Sequence, residues 1–104
     1  MPEIRRTIMN SFKDAQECQM FIMILKQKWS EFDVDLKEKF TVEIATDIAD
    51  PRKHTAYLTA QSVEDFKIVD DWAKKEVLPL RNRFSPKSNT FTCELEARFE
   101  FGDD

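Results

Sequence analysis

His54 is the single histidine among 104 residues, and nucleophilic or acid–base chemistry in a small enzyme runs most readily through an imidazole. It follows Arg52 and Lys53 at the start of a strand-like stretch, a context that reads as an exposed loop edge rather than as a catalytic base. Metal chemistry has equally thin support. His54, Cys18 and Cys93 show no ligand spacing, and both cysteines fall on apolar stripes, where reduced core thiols are found. Carboxylates occur as turn residues (Asp33, Asp35), on the outer side of a helix (Asp70, Asp71) and at the chain end (Asp103, Asp104). None forms a recognisable hydrolytic pair. One glycine, Gly102, leaves no phosphate-cradling loop, since such loops need glycine for backbone amides to approach phosphate oxygens. The sequence therefore assigns no catalytic residue, metal or cofactor.

The elements that would position these residues are clearer. A strand is expected over 3–9 with Ile4 and Ile8 inward, and Ser11 with Asp14 forms a capping signal for a helix from Phe12 to Glu31. Its apolar stripe is Ala15, Cys18, Phe21, Ile22, Leu25, Trp29 and Phe32. Strands follow at 40–46 and 54–60, each alternating apolar and polar residues. Ser62 with Asp65 caps a second helix, whose inner stripe is Phe66, Val69, Ala73, Val77 and Leu80, and Pro79 should end or kink it. RNRFSPKSN reads as a loop. The last stretch, Thr90 to Phe101, alternates without a break, so Phe91, Cys93, Leu95, Ala97, Phe99 and Phe101 are expected to enter the core beneath the helices.

The order β-α-β-β-α-β is that of the ferredoxin-like split βαβ fold, an α+β domain with a four-stranded antiparallel sheet in the order 4-1-3-2 and two helices on one face. At 104 residues this is a single domain, and a 41% hydrophobic fraction is enough for a real core. The longest apolar run, Met20 to Leu25, is too short to span a bilayer, and the N-terminal MPEIRRT has no apolar stretch of the signal-peptide kind. The cytoplasm is the expected compartment.

Three surfaces compete for function. On the outer side of helix one, Met20, Met23 and Ile24 point away from the sheet, and clustered Met and Ile suit an adaptable partner contact. The last strand is a sheet edge whose outer residues, Thr92, Glu94, Glu96 and Arg98, flank a backbone that another chain could extend. At one end of the domain Arg52, Lys53, His54, Arg81, Arg83 and Lys87 gather beside the amides after Ser11, where an anion could sit. The net charge of -4 argues against generic nucleic-acid binding but leaves room for that local patch. An RNA reader would carry stacking aromatics on the open sheet face, where the third strand offers Tyr57 and the first none. The expectation is a small acidic accessory or inhibitory protein that self-associates or binds a protein partner. The alternatives are an anion-binding module at the basic end and an enzyme with a dimer cleft around Glu43, Tyr57 and Arg98.

Overall fold

The structure is a computed structural model that describes residues 3–102. Asp103 and Asp104 lie outside the described residues. The chain runs β1 (Ile4–Ser11), α1 (Ala15–Ser30), β2 (Phe40–Thr46), β3 (Lys53–Ala60), α2 (Val63–Glu76), α3 (Leu78–Phe84) and β4 (Lys87–Glu94). The four strands are antiparallel throughout in the order β2-β3-β1-β4, as the element order predicts. Among the described residues no helix is long and apolar enough to cross a membrane.

Caps and breaks set where the helices begin. Asp14, not Ser11, caps α1 by accepting the Glu17 amide at 2.8 Å, so the helix starts three residues later than the capping signal suggests. The Phe12 amide instead donates to the Arg52 carbonyl at 2.9 Å, which holds the chain extended and delivers the Phe12 ring to the core. Ser62 caps α2 as expected, accepting the Asp65 amide at 3.1 Å. Asp65 is fully buried and does more than complement the helix dipole. Its carboxylate accepts the Lys37 and Glu38 amides at 3.2 and 3.1 Å, which ties the segment between α1 and β2 to the start of α2. Pro79 ends α2 indirectly: it sits in the first turn of α3, where its missing N–H costs nothing. The expected loop RNRFSPKSN is thus the end of a short helix and the start of β4. It is ordered because Leu80 is buried and Phe84 packs edge-on against Phe12 and Phe21.

Two apolar clusters make the core. Phe12, Cys18, Phe21, Ile22, Leu25 and Leu80 form one, and Ala56, Leu58, Ala60, Phe66 and Val69 form the other. Trp29 touches both. Ile24 also packs against the first cluster rather than standing clear of it, while Met20 and Met23 are exposed as expected.

The largest departure is β4. It ends at Glu94, and its register against β1 inverts the expected faces. Thr92 lies opposite Arg6 and Ser88 opposite Asn10, both on the helix-covered side, whereas Phe91 and Cys93 share the open face with Thr7 and Arg5. Alternation tells which residues share a face, and only the register with a neighbour tells which face it is. Leu95 extends the ladder by one bond, its amide reaching the Glu3 carbonyl at 2.8 Å, and the chain then leaves the sheet. Phe99 and Phe101 are therefore exposed instead of buried, and Cys93 is an exposed free thiol while Cys18 is a buried one.

Phe21 joins the first cluster to the sheet through Phe12, Phe84 and His54, and it is 1% exposed. Phe21→Ala should cost about 3–5 kcal/mol of folding stability. Urea unfolding checks this, and a loss within the range of a surface substitution would mean that the cluster closes over the gap.

Candidate active site

The rows of the sheet converge on one side. Across β3, β1 and β4, residues pair as His54–Asn10–Ser88, Ala56–Ile8–Thr90 and Leu58–Arg6–Thr92. All nine lie on the helix side of the sheet, and seven of them, all but Ser88 and Thr92, bound with Phe21, Leu25, Trp29 and Val69 a cavity of about 230 Å³ between the sheet and the helices. Its floor is buried, while Lys74, Leu78 and Thr90 at its rim are exposed, so it opens between the α2–α3 corner and β4. The opening exists because the helices lie over β3 and leave β4 uncovered.

The polar groups in this apolar hollow are few and fixed. His54 is 1% exposed, its ring packed between Phe12 and Phe21 at centroid distances of 6.0 and 5.3 Å. It is not the loop-edge residue that its basic neighbours suggest: its parity matches that of Ala56, Leu58 and Ala60, so it faces inward with them. His54 Nε2 meets the side-chain nitrogen of Asn10 at 3.0 Å, and the Asn10 carbonyl oxygen accepts the Ser88 hydroxyl. The Asn10 N–H therefore donates to Nε2, which leaves the proton of a neutral imidazole on Nδ1. That Nδ1 is buried and makes no hydrogen bond of good geometry, although the Thr55 backbone lies near enough to the ring to favour its charged form weakly. A half-turn of the Asn10 amide, with the Ser88 hydroxyl exchanging roles, would bare the Nδ1 lone pair instead. The row can thus present His54 to a ligand as a donor or as an acceptor.

Arg6 forms the second polar group. Its guanidinium grips both carboxylate oxygens of Asp70, donates from Nε to the Thr92 hydroxyl at 2.9 Å, and lies 4.8 Å from the centre of the Phe66 ring. Asp70 is therefore not a solvated outer carboxylate but the α2 end of a partly buried, bidentate pair spanning helix and sheet.

The residues marked from sequence scatter around this site. Of the basic end, Arg81 lines the cavity, whereas Arg52 and Lys53 both turn to Asp50. The Arg52 side chain, bonded to the Asp50 carboxylate, holds that group down to about 2. Arg83 and Lys87 are exposed, and the α1 amides are already served by Asp14. Thr92 bonds Arg6 on the covered side, Glu94 ends β4, and Glu96 and Arg98 follow it, with Arg98 donating to Glu3 at 2.9 Å. Glu43 and Tyr57 are cross-strand partners on the open face, where Glu43 shares a depression with Glu3, the residue that accepts Arg98. Among the described residues no group of three His, Cys, Asp or Glu side chains could hold a metal ion. Sequence reading missed Asn10, Ser88 and Arg6. For His54 the signal was present in H-x-A-x-L-x-A.

No protein-family model matches the sequence, and no curated protein does. Solved structures share the architecture. A conserved protein from Methanosarcina mazei Go1 superposes with a TM-score of 0.72 at 16% identity over 92% of this chain and 95% of that one. A dimeric ferredoxin-like protein from an uncultured marine organism gives 0.70 at 14% identity over 98% and 95%. The fold is ferredoxin-like. SnoaB, a cofactor-independent oxygenase from Streptomyces nogalater, shares this ferredoxin-like fold with a TM-score of 0.67 at 12% identity over 97% and 98%.

Burial pushes the His54 imidazole below its ordinary value of 6.5, with the Thr55 backbone opposing more weakly. The unfolded chain then takes up a proton at a higher pH than the folded one. Stability is fully present above about pH 6.5 and declines as the pH falls toward the lowered folded value. Replacing His54 with Gln should flatten that decline, read as the change in urea midpoint between about pH 7.5 and about pH 5. An equally steep decline in the variant would assign it to other groups.

Proposed function

We propose that this protein is a small homodimeric enzyme that takes a flat, largely apolar organic molecule into the cavity and moves a proton on it with His54, in the manner of a cofactor-independent oxygenase. The observation that carries the reading is the unpartnered Nδ1 of a buried, neutral histidine on the wall of an apolar cavity of about 230 Å³. A structural histidine saturates its nitrogens, and a buried polar atom left open costs stability unless a ligand or water meets it. The apolar surround favours a hydrophobic ring system, and with the Asn10 amide turned so that Nε2 carries the imidazole proton, a weakly acidic C–H placed against the Nδ1 lone pair would be deprotonated there. The carbanion so formed is electron-rich enough to reduce oxygen. A CH₂ group and O₂ then become a carbonyl group and water, with the substrate supplying all the electrons. SnoaB, a cofactor-independent oxygenase of the same fold, supports this chemistry, and the cavity favours it over an accessory protein that works only by presenting a surface.

The bicyclic ketone 2-tetralone tests the proton step. Native protein should speed hydrogen–deuterium exchange at its benzylic carbon, and His54→Gln should lose about 100-fold or more of that rate. Equal rates for both proteins would refute the assignment. Ala73→Phe, which puts a ring into the cavity without touching the histidine row, should abolish the exchange as well.

Self-association belongs to the same reading. Met9, Tyr57 and Phe91 stand on the open sheet face, and Phe99 and Phe101 follow on the emerging chain, all of them exposed large hydrophobics. A second copy of this chain is the occupant favoured by the solved neighbour described as dimeric. Tyr57→Lys combined with Phe91→Lys should turn a dimer into a folded monomer in sedimentation equilibrium. A mass that stays dimeric would place the contact elsewhere, with the Met20 and Met23 face of α1 next to be tested.

A further inference from the structure

We propose that the molecule held in this cavity is an anion, and that Arg81 together with Lys74 binds its negative group at the mouth. The inference rests on the cavity being a ligand site and adds the chemical class of the ligand. Four formally charged side chains line the hollow: Arg6, Asp70, Lys74 and Arg81. Arg6 and Asp70 neutralise each other through two oxygens. Lys74 and Arg81 then remain as two cations, and among the described residues neither makes an ion pair.

That surplus runs against the charge of the whole. The chain carries -4 overall and has acidic residues to spare, and Arg52, Lys53, Lys28 and Lys37 each have a carboxylate partner. Among the described residues Lys74 and Arg81 have none, and unlike the exposed and equally unpaired Lys26, Lys39, Lys67, Lys75, Arg83 and Lys87 they line the cavity. Lys74 stands in the last turn of α2 and Arg81 in α3, and the break at Val77 with Leu80 buried beneath it turns both toward the same opening. Arg81 is only half exposed and sits against apolar Val77 and Leu78. A carboxylate there would meet a partly desolvated guanidinium, where a charge-assisted pair is stronger than on open surface.

A ligand built to match has two parts. Its ring system lies over Ile8, Ala56 and Leu58 with a polar or acidic atom near His54, and its anionic group projects to the rim. An aromatic carboxylic acid is the simplest such molecule. Phosphate monoesters are disfavoured because no glycine-rich backbone cradle accompanies the two side chains.

Calorimetric titration with 2-naphthoate and its neutral analogue 2-naphthalenemethanol decides the matter. Native protein should bind the carboxylate about 10- to 100-fold more tightly. Arg81→Ala should remove most of that preference, and adding Lys74→Ala the rest, with the affinity for the alcohol unchanged. Raised salt should narrow the gap in the native protein and do little in the double variant. Equal binding of both compounds to native protein would overturn the anion inference and leave the cavity as a ligand site. Binding of neither would overturn the cavity reading itself, and with it this one. Preference retained in the double variant would show that the anion sits elsewhere, most directly on Arg6.

Discussion

The register of β1 between its two neighbours is the constraint on which the rest of this molecule depends. Side chains on a strand alternate with a period of two, so a slip of one residue would carry every inward group to the other face. In the observed register Arg6, Ile8 and Asn10 each meet a residue of β3 on one side and of β4 on the other. Those three rows form the helix-facing side of the sheet, and seven of their nine residues line the cavity. Packing fixes them because Ala56, Leu58, Ala60, Phe66 and Val69 are buried only in this register. The chemistry is fixed with it, since His54, Asn10 and Ser88 can form a chain of hydrogen bonds only when they lie on one line across three strands.

Polar groups in the interior are handled by pairing, and what is left over is informative. Asp65 is fully buried but accepts two backbone amides, and Arg6 answers Asp70 and Thr92. Such satisfied groups hold elements together. Asp65 anchors the loop before β2, and the Arg6–Asp70 pair locks α2 to the central strand. Charge away from water is tolerated in both because hydrogen-bond partners answer it, and removing one partner would strand the other. Against that background an unpartnered imidazole nitrogen and two unanswered cations around one hollow stand out as places where the fold has left valences open.

Much of the fold was readable from local pattern. The strands at 40–46 and 54–60, the stripe of α1 and the Ser62 cap all follow from periodicity and capping chemistry, and their order yields the sheet. The departures share a physical cause, which is that local pattern does not carry tertiary information. Thr90 to Phe101 alternates truthfully, but which face is apolar depends on pairing with β1. Ser11 and Asp14 are both good caps, and the choice fell to Asp14 because the Phe12 amide was claimed by the Arg52 carbonyl. The segment around Pro79 looked like a terminator because a proline cannot sit mid-helix, yet it is welcome in a first turn. Of the site, His54 could have been placed by extending the parity of β3 two residues backward. Arg6, Asn10 and Ser88 could not, because polar residues at inward positions look like breaks in a pattern until their partners on other strands are known.

The unbroken alternation from Thr90 to Phe101 acquires a different meaning once the faces are inverted. If Phe91 and Cys93 had turned inward, their side chains would have filled the cavity from the β4 side. Placing Ser88, Thr90 and Thr92 there keeps that wall small and polar, which leaves the hollow open and supplies the Asn10 and Arg6 partners. The cost is an open face on which Met9, Tyr57 and Phe91 are exposed among Arg5, Thr7 and Glu43, with two further phenylalanines beyond the strand. Exposed apolar side chains of that kind on a sheet with a free edge are poorly solvated, so covering them would be favourable. The same register that opens the cavity on one side of the sheet therefore creates the demand for a cover on the other, and one strand's choice of face links the two.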